Sequence, residues 1–258
     1  MTSLLQLTAR GLKGVTRTRA GSSVVNAART AAGLCFDAFH AEYRTEGMAF
    51  AIPMEQTTRR MRGKFFVDTY ELPERTLAKR HLPRGSRVLE LGGCIGVLSC
   101  LMNRLLDDPA SHVVVEANPA LIPTLQRNAA ANGAVFTIEN CVVSRKPYER
   151  LLVHENMDTS YLDGGGIPIK ARTLADIEAA HGIEFDAVVM DIEGAEAAFI
   201  EDHPDALRRM EFLMLEFHPE SLGEERVDRL RALLREAGLR KTDEMLTTEV
   251  YVRDHLGR

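Results

Sequence analysis

The chain has 258 residues, of which 45% are hydrophobic and 27% are charged, and its formal net charge is −5. This length buries the core of one large α/β domain with a small extension, and the acidic balance excludes a general attraction to nucleic acids. No apolar run reaches the about 20 residues of a membrane-spanning helix. Four cysteines without a CxxC pair or zinc spacing are expected to be reduced thiols, so we expect a cytoplasmic protein without a nucleic-acid partner.

The first 36 residues are basic and contain no acidic residue. Their basic residues are Arg10, Lys13, Arg17, Arg19 and Arg29. The apolar residues that share one helical face are Leu4, Leu5, Ala9, Leu12 and Val15. This pattern predicts a basic amphipathic helix, followed by an alanine-rich helix over residues 24–39.

We assign residues 1–67 to an N-terminal helical extension and residues 68–258 to the main domain. We expect the helices of the extension to pack on the main domain or to form a homodimer contact. The alternative is weak peripheral contact with an anionic membrane surface.

From Gly85 onward the chain alternates short β-rich runs with helical stretches, which is typical of a parallel sheet covered by helices. Strands are predicted over residues 87–91, 112–116, 135–143, 185–190, 212–217 and 247–252. Helices are predicted over residues 97–106, 118–132, 173–180, 195–200 and 224–237. Residues 164–166, three glycines, predict a loop or hairpin turn.

Residues 90–96, Glu-Leu-Gly-Gly-Cys-Ile-Gly, connect the first of these strands to its helix. The glycines let the backbone approach a ligand closely. The spacing differs from the G-x-G-x-x-G of NAD enzymes, which disfavours a dehydrogenase. An acid beside the glycines instead suits a cationic, phosphate-free cofactor such as S-adenosylmethionine. The predicted contacts are Glu90, Gly92, Gly93, Cys94 and Gly96, and the alternative is a purely structural tight turn.

Glu116 ends the second strand, 20 residues after Gly96. An acid at this place can accept hydrogen bonds from both ribose hydroxyls of a bound nucleoside. The alternative is a carboxylate that is merely solvated at the end of a strand. Together with the glycine loop, Glu116 favours a nucleoside cofactor.

A third group of polar residues follows the fourth and fifth strands. Its members are Asp191, Glu193, Glu196, Glu216 and His218. Ligands of open α/β sheets bind beyond the carboxyl ends of the strands, so we expect these side chains to meet at one edge. For any one of them the alternative is a helix-capping acid or a surface histidine.

From about Phe66 to the C-terminus, the sequence resembles the FkbM-type family of class I S-adenosylmethionine-dependent methyltransferases. The matching segments are residues 70–71, 90–96, 116–119, 128–132, 172–176, 191–196 and 215–219. Asn118, Cys141, Val142 and Asp191 complete the predicted cofactor-binding set. The loop departs from the family's usual Gly-Ala-Asn-Ile-Gly, because Gly93 and Cys94 replace the alanine and the asparagine.

The resemblance implies a Rossmann-like α/β fold, with a mostly parallel seven-stranded sheet and helices on both faces. It also implies O-methylation of a sugar or natural-product hydroxyl, with a small molecule or glycan as the acceptor. Methylation of a carboxylate, amide or amine stays open, as does a catalytically silent cofactor-binding partner subunit.

Methyl transfer to a hydroxyl needs alignment and removal of a proton. His218 is the first candidate base, because the ordinary pKa of histidine, about 6.5, lies near neutral pH. Glu193 and Glu196 are further candidates if burial raises their pKa values, and Asp191 belongs to the same predicted catalytic group. The second hypothesis is Mg²⁺ held by Asp191 and Glu216, since this ion prefers oxygen ligands.

Overall fold

The computed structural model describes residues 19–39, 42–152, 157, 161–162 and 165–253. The predicted basic helix within the first 18 residues lies outside them, as does Gly164 of the predicted glycine turn. The helices are α1 (Arg19–Phe39), α2 (Arg59–Phe66), α3 (Leu72–His81), α4 (Val97–Leu105), α5 (Ile122–Ala131), α6 (Leu174–His181), α7 (Glu196–Asp202), α8 (Pro204–Arg209), α9 (Pro219–Leu222) and α10 (Glu224–Glu236). No helix of the described ranges has the length and apolar character needed to cross a membrane.

The strands form a central sheet, a small second sheet and a hairpin. They are β1 (Tyr43–Thr45), β2 (Met48–Phe50), β3 (Val88–Leu91), β4 (His112–Val115), β5 (Thr137–Glu139), β6 (Val142–Val143), β7 (Tyr148–Leu152), β8 (Tyr161–Leu162), β9 (Ile167–Arg172), β10 (Ala187–Met190), β11 (Phe212–Glu216), β12 (Leu239–Met245) and β13 (Thr248–Arg253). The central sheet has seven strands in the order β12-β13-β11-β10-β3-β4-β5.

The central sheet is mostly parallel, as predicted, and only its pairings with β13 are antiparallel. The chain leaves β3 toward β4 and β5, and then returns to the other side of β3 with β10 and β11. The strand order therefore reverses between β3 and β10, and a crevice opens beyond the carboxyl ends of these strands. The last residues of β3, β4 and β10 lie in register, so the segments that follow them meet at this crevice.

The strands beside the crevice are buried along their whole length, because helices cover both faces of the sheet. One core cluster joins β3, β4, β10 and β11 to α6, α7 and α10. Two other clusters join the sheet to further helices. One contains residues of α4 and α5, and the other contains residues of α3 and α4. Burial from both sides holds the strand ends, and so the site residues that follow them, in fixed positions.

The predicted third strand, residues 135–143, is wrong as one element. Residues 137–139 pair with β4, whereas residues 142–143 pair with β9 of the second sheet. The break lies at Asn140, whose amide donates to the carbonyls of Glu116 at 2.8 Å and Ala117 at 3.2 Å. These bonds to the loop after β4 hold Asn140 at the edge of the crevice.

The start of α5 and the presence of β12 also differ from the prediction. The helix expected from Asn118 begins at Ile122, because the Asn118 side chain accepts a hydrogen bond from the backbone of Ala120 and forms a turn. The strand β12 was not predicted, since its sequence, Leu-Arg-Lys-Thr-Asp-Glu-Met, is mostly polar. An edge strand with an exposed face tolerates such a sequence.

The described part of the extension packs on the main domain and shares a core with it. Phe36 of α1 and Phe65 of α2 are buried in the same cluster as Tyr70, Ile95 and Val97. The rings of Phe65 and Tyr70 lie 4.6 Å apart between centroids. The hairpin β1–β2 is held to α5 by Asn128, whose amide bonds both the N–H and the carbonyl of Ala51.

Candidate active site

The glycine loop after β3 is wedged between its neighbouring strands. Gly92 has a φ of +94°, and a Cβ at this position would collide with the backbone oxygen of Asp191. A Cβ on Gly93 would collide with the side chain of Val114. The Gly92 N–H donates to the carbonyl of Val115 at 2.9 Å. Only glycine therefore lets this loop pass so close to β4 and β10.

Cys94 lies at the tip of the loop in a left-handed conformation, with a φ of +47°. Its backbone N–H donates to Glu116 Oε2 at 2.7 Å, and its Sγ accepts from the Tyr70 hydroxyl at 3.3 Å. Asparagine tolerates left-handed backbone better than most residues, which agrees with the family's usual residue here. Cysteine keeps the backbone contact with Glu116 but replaces the amide with a thiol that faces Tyr70.

Glu116 connects the glycine loop to the loop after β4. Besides the bond from Cys94, its Oε1 accepts from the backbone of Asn118 at 2.6 Å. Burial raises the pKa of this carboxyl above its ordinary value. Glu116 thus has the place predicted for a ribose-binding acid, and it also shapes the loop that surrounds it.

Glu90 does not line the crevice, contrary to its prediction as a cofactor contact. Its Oε1 accepts from the Ser99 hydroxyl at 2.8 Å, and its Oε2 lies 2.9 Å from Nε2 of His112. All three side chains are buried. Glu90 therefore joins β3 to α4 and β4, and it stabilises the strands that carry the site.

A cavity of about 810 Å³ occupies the crevice, a volume that suits a nucleoside cofactor together with an acceptor. Nine of the predicted site residues line it. They are Gly92, Cys94, Glu116, Cys141, Val142, Asp191, Glu193, Glu216 and His218. Predicted residues that do not line it are Glu90, Gly93, Gly96, Asn118 and Glu196.

His218 lies among carboxylates. Its Nδ1 is 2.8 Å from Glu196 Oε1, and its Nε2 is 3.5 Å from both Asp191 Oδ1 and Glu193 Oε2. Burial alone would lower the pKa of His218, but the hydrogen bond to Glu196 and the three negative charges raise it to about 10. The ring is therefore cationic at neutral pH. The prediction of His218 as a base rested on an ordinary pKa, which the surrounding carboxylates raise.

Glu196 positions His218 from the side of the ring that faces away from the cavity. Its side chain is fully buried, and its Oε1 accepts from the backbone of Ile192 at 3.4 Å and of Gly194 at 3.2 Å besides His218 Nδ1. These bonds set the orientation of the ring and direct Nε2 toward the cavity. Because Glu196 does not reach the cavity, its place does not suit the predicted role of a base.

Two acids were missed by the sequence reasoning: Glu74, which lies in α3, and Glu71, which directly precedes α3. Burial and the charge of Glu74 raise the pKa of Glu71 to about 8. Burial and the charge of Glu216 raise the pKa of Glu74 to about 7. Both line the cavity, and Glu71 also accepts from the backbone of Leu98 at 2.9 Å. Only the family resemblance at Tyr70 and Glu71 pointed to this segment.

The same crowding affects Asp191 at the tip of β10. Burial and the charge of Glu216 raise the pKa of Asp191 well above its ordinary value. Its Oδ1 is buried and has no hydrogen-bond partner among the described residues. This oxygen is thus placed to receive a hydrogen bond from a ligand in the cavity.

The predicted Mg²⁺ pair, Asp191 and Glu216, lines the cavity together, and the charge of Glu216 raises the pKa of Asp191. Within the described ranges, the group of three donors whose atoms all lie within 4.8 Å of one another is Asp191, Glu196 and His218, without Glu216. Glu216 instead accepts from the Thr247 hydroxyl at 2.6 Å. A set with a cationic imidazole bound to one of its carboxylates does not suit an ion that prefers oxygen ligands in octahedral geometry.

The methyltransferase FkbM domain matches residues 90–241 of this chain. No curated protein matches the sequence. Among solved structures, the chain is similar to a protein in the NADB-Rossmann superfamily from Streptococcus agalactiae, with 15% identity, coverage of 72% of this chain and 69% of that chain, and a TM-score of 0.46.

Two further similar structures are described as a methyltransferase and as a complex with S-adenosyl-L-methionine. One is precorrin-6y C5,15-methyltransferase from Geobacter metallireducens GS-15, with 13% identity, coverage of 80% of this chain and 94% of that chain, and a TM-score of 0.46. The other is Aeropyrum pernix fibrillarin in complex with S-adenosyl-L-methionine, with 14% identity, coverage of 66% and 68%, and a TM-score of 0.41.

The seven-stranded sheet, the glycine loop and the family match define a Rossmann-like methyltransferase that depends on S-adenosylmethionine. The family match covers more than half of the sequence, and the chain belongs to the methyltransferase FkbM domain family.

Proposed function

We propose that this enzyme methylates a hydroxyl group of a sugar or natural product, and that Asp191 accepts the proton of that hydroxyl. The observation that carries the proposal is the buried Oδ1 of Asp191, which lacks a hydrogen-bond partner among the described residues. This oxygen lies 3.5 Å from Nε2 of the cationic His218. A hydroxyl placed against it would supply the missing hydrogen bond.

The residues around the glycine loop fit S-adenosylmethionine. The loop comes so close to its neighbours that no Cβ fits at Gly92 or Gly93, and Glu116 lines the cavity beside it. Cys141 and Val142 would complete the binding surface for the cofactor. When bound, the cofactor supplies a methyl group on a positively charged sulfur, so the chain has no need to activate the methyl donor further.

The chain's own contribution is alignment and proton removal. S-adenosylmethionine would supply the methyl group to the acceptor oxygen and leave as S-adenosylhomocysteine, and Asp191 would take the proton of the hydroxyl. A raised pKa makes Asp191 a stronger base than an ordinary carboxylate once it is ionised. The cationic ring of His218, held by Glu196, stabilises that ionised form.

The acids near Asp191 favour a hydroxyl-rich acceptor. With pKa values of about 8 and about 7, Glu71 and Glu74 can each donate or accept a hydrogen bond near neutral pH. Such groups match the hydroxyls of a sugar, which also do both. An acceptor whose reacting group is a carboxylate would meet repulsion from Glu193 and Glu216.

The test is transfer of a labelled methyl group from S-adenosylmethionine to metabolites extracted from producing cells, with the product isolated by its label. We expect an ether, which survives mild alkali, whereas a methyl ester would release methanol. Asp191→Asn should reduce turnover by about 10²–10⁴-fold while S-adenosylhomocysteine still binds.

The matched control is Asp205→Asn, which removes a carboxylate that is 95% exposed. It should leave turnover unchanged. A labelled ester or N-methyl product would refute the hydroxyl acceptor. Full turnover in Asp191→Asn would refute the role of Asp191 as the base.

A further inference from the structure

Arg29 of α1 lines the cavity without a counter-charge. Its side chain is partly buried, and within the described chain no hydrogen bond or ion pair involves it. Its neighbours differ in this respect, because Arg59 and Arg62 both pair with Asp37, at 3.3 and 2.5 Å. A partly buried guanidinium without a carboxylate is costly unless a ligand supplies the negative charge.

The packing of α1 on α2 holds Arg29 in this place. A Cβ on Gly63 would collide with the backbone oxygen of Arg29, and a Cβ on Gly33 would collide with that of Arg59. The two helices therefore cross in direct backbone contact. The position of Arg29 at the cavity wall follows from this crossing rather than from a flexible loop.

A second cation lies beside the first. Burial and the positive charge of Arg60 lower the pKa of Arg29 below its ordinary value. Arg60 is exposed and, like Arg29, forms no ion pair with any described residue. Two neighbouring guanidinium groups are thus left uncompensated in a protein whose formal net charge is −5. An anion with several acceptor oxygens would supply the partner that Arg29 lacks at the cavity wall.

Arg29 belongs to the side of the cavity that holds the proposed base. The backbone of Arg29 lies against Gly63, and the positive charge of the next residue, Lys64, lowers the pKa of Glu74. The negative charges of Glu74 and Glu216 in turn raise the pKa of Asp191. An anion bound by Arg29 would therefore belong to the acceptor and not to the nucleoside beside Glu116.

We propose that Arg29 binds a phosphate group of the acceptor, so that the substrate is a phosphorylated hydroxyl compound. This rests on the proposed function, since it names the class of acceptor for the same cavity. Phosphate fits Arg29 because it is anionic and offers several acceptor oxygens to the planar guanidinium fork. The phosphate belongs either to a soluble sugar phosphate or to a lipid headgroup that bears the sugar.

The test is calorimetric titration of inorganic phosphate into the full-length protein saturated with S-adenosylhomocysteine, at low salt. A second arm measures sedimentation of the protein with phosphatidylglycerol vesicles. Arg29→Gln should weaken phosphate binding about 10-fold or more, the effect of one hydrogen bond to a charged group. Arg29→Lys should lose less, because it keeps the charge but not the planar fork.

The matched control is Arg127→Gln, which removes an exposed arginine of α5 that has no ion pair in the described chain and lies outside the cavity. It should change phosphate binding less than twofold. Vesicle binding that is lost in Arg29→Gln, without binding of free phosphate, would support the proposal and identify the lipid-linked source.

Equal effects of Arg29→Gln and Arg127→Gln, or no binding of wild-type protein in either arm, would overturn the proposal. Weakened S-adenosylhomocysteine binding in Arg29→Gln would also overturn it, because Arg29 would then contact the cofactor. If the wild-type protein failed to bind S-adenosylhomocysteine, the proposed function would fail, while phosphate titration into the protein alone would still report on Arg29.

Discussion

Replacing Glu196 by glutamine removes the charge behind His218 and leaves the shape of the side chain almost unchanged. The amide oxygen of glutamine can still accept from Nδ1, which lies 2.8 Å from Glu196 Oε1, so the ring should keep its orientation. The histidine then loses one of the three negative charges that raise its pKa to about 10. A nearby opposite charge typically shifts a pKa by about 1–3, which is about 1.4–4 kcal/mol.

The measurement is an NMR titration of the imidazole signals, which His218→Asn assigns among the eight histidines of the chain. Because the folded pKa of His218 lies above its unfolded value of about 6.5, its charged contacts stabilise the fold fully below that pH. This contribution is lost as the pH rises through about 10. The excess stability of wild type over Glu196→Gln should therefore shrink across this window in denaturant unfolding.

The matched control is Glu201→Gln on the same helix, which removes an exposed partner of Arg226. It should leave the His218 titration where it is in wild type. A wild-type His218 that titrates near 6.5, or one whose pKa is the same in Glu196→Gln, would refute the arrangement of charges described above.

Three other parts of the site lead to predictions. Glu116→Ala should weaken S-adenosylmethionine binding by about 1.5–3 kcal/mol in calorimetry, and unchanged affinity would remove Glu116 from the cofactor site. Glu90→Gln should lower the free energy of unfolding by about 1–3 kcal/mol, because Ser99 and His112 lose a charged partner, and an unchanged denaturation midpoint would contradict that role. Gly92→Ala should abolish cofactor binding through its collision with the Asp191 backbone, so retained binding would show that the loop can move. Turnover should persist in chelator, and loss of activity that Mg²⁺ restores would reinstate the metal hypothesis.

The sequence determines those features that depend on neighbours along the chain. Short, mostly apolar runs such as residues 88–91 and 187–190 are buried on both faces, so they can be recognised as parallel strands without any knowledge of what covers them. The glycine spacing after Leu91 and the acid at Glu116 follow from the path of a loop that must pass close to a ligand. The acids after β10 and β11 could be placed at one sheet edge because parallel strands end together.

Only the tertiary structure decides which side chains meet, and with what charge. Glu74 accepts from Thr248, 174 residues later in the sequence, at a distance of 2.5 Å. His218 received an ordinary pKa from the sequence, yet three carboxylates from another loop and helix make it cationic. Glu90 belongs to the family's loop motif, but its side chain bonds to Ser99 of α4 and His112 of β4 and does not line the cavity. Burial and long-range electrostatics set protonation and orientation, and neither is encoded in local spacing.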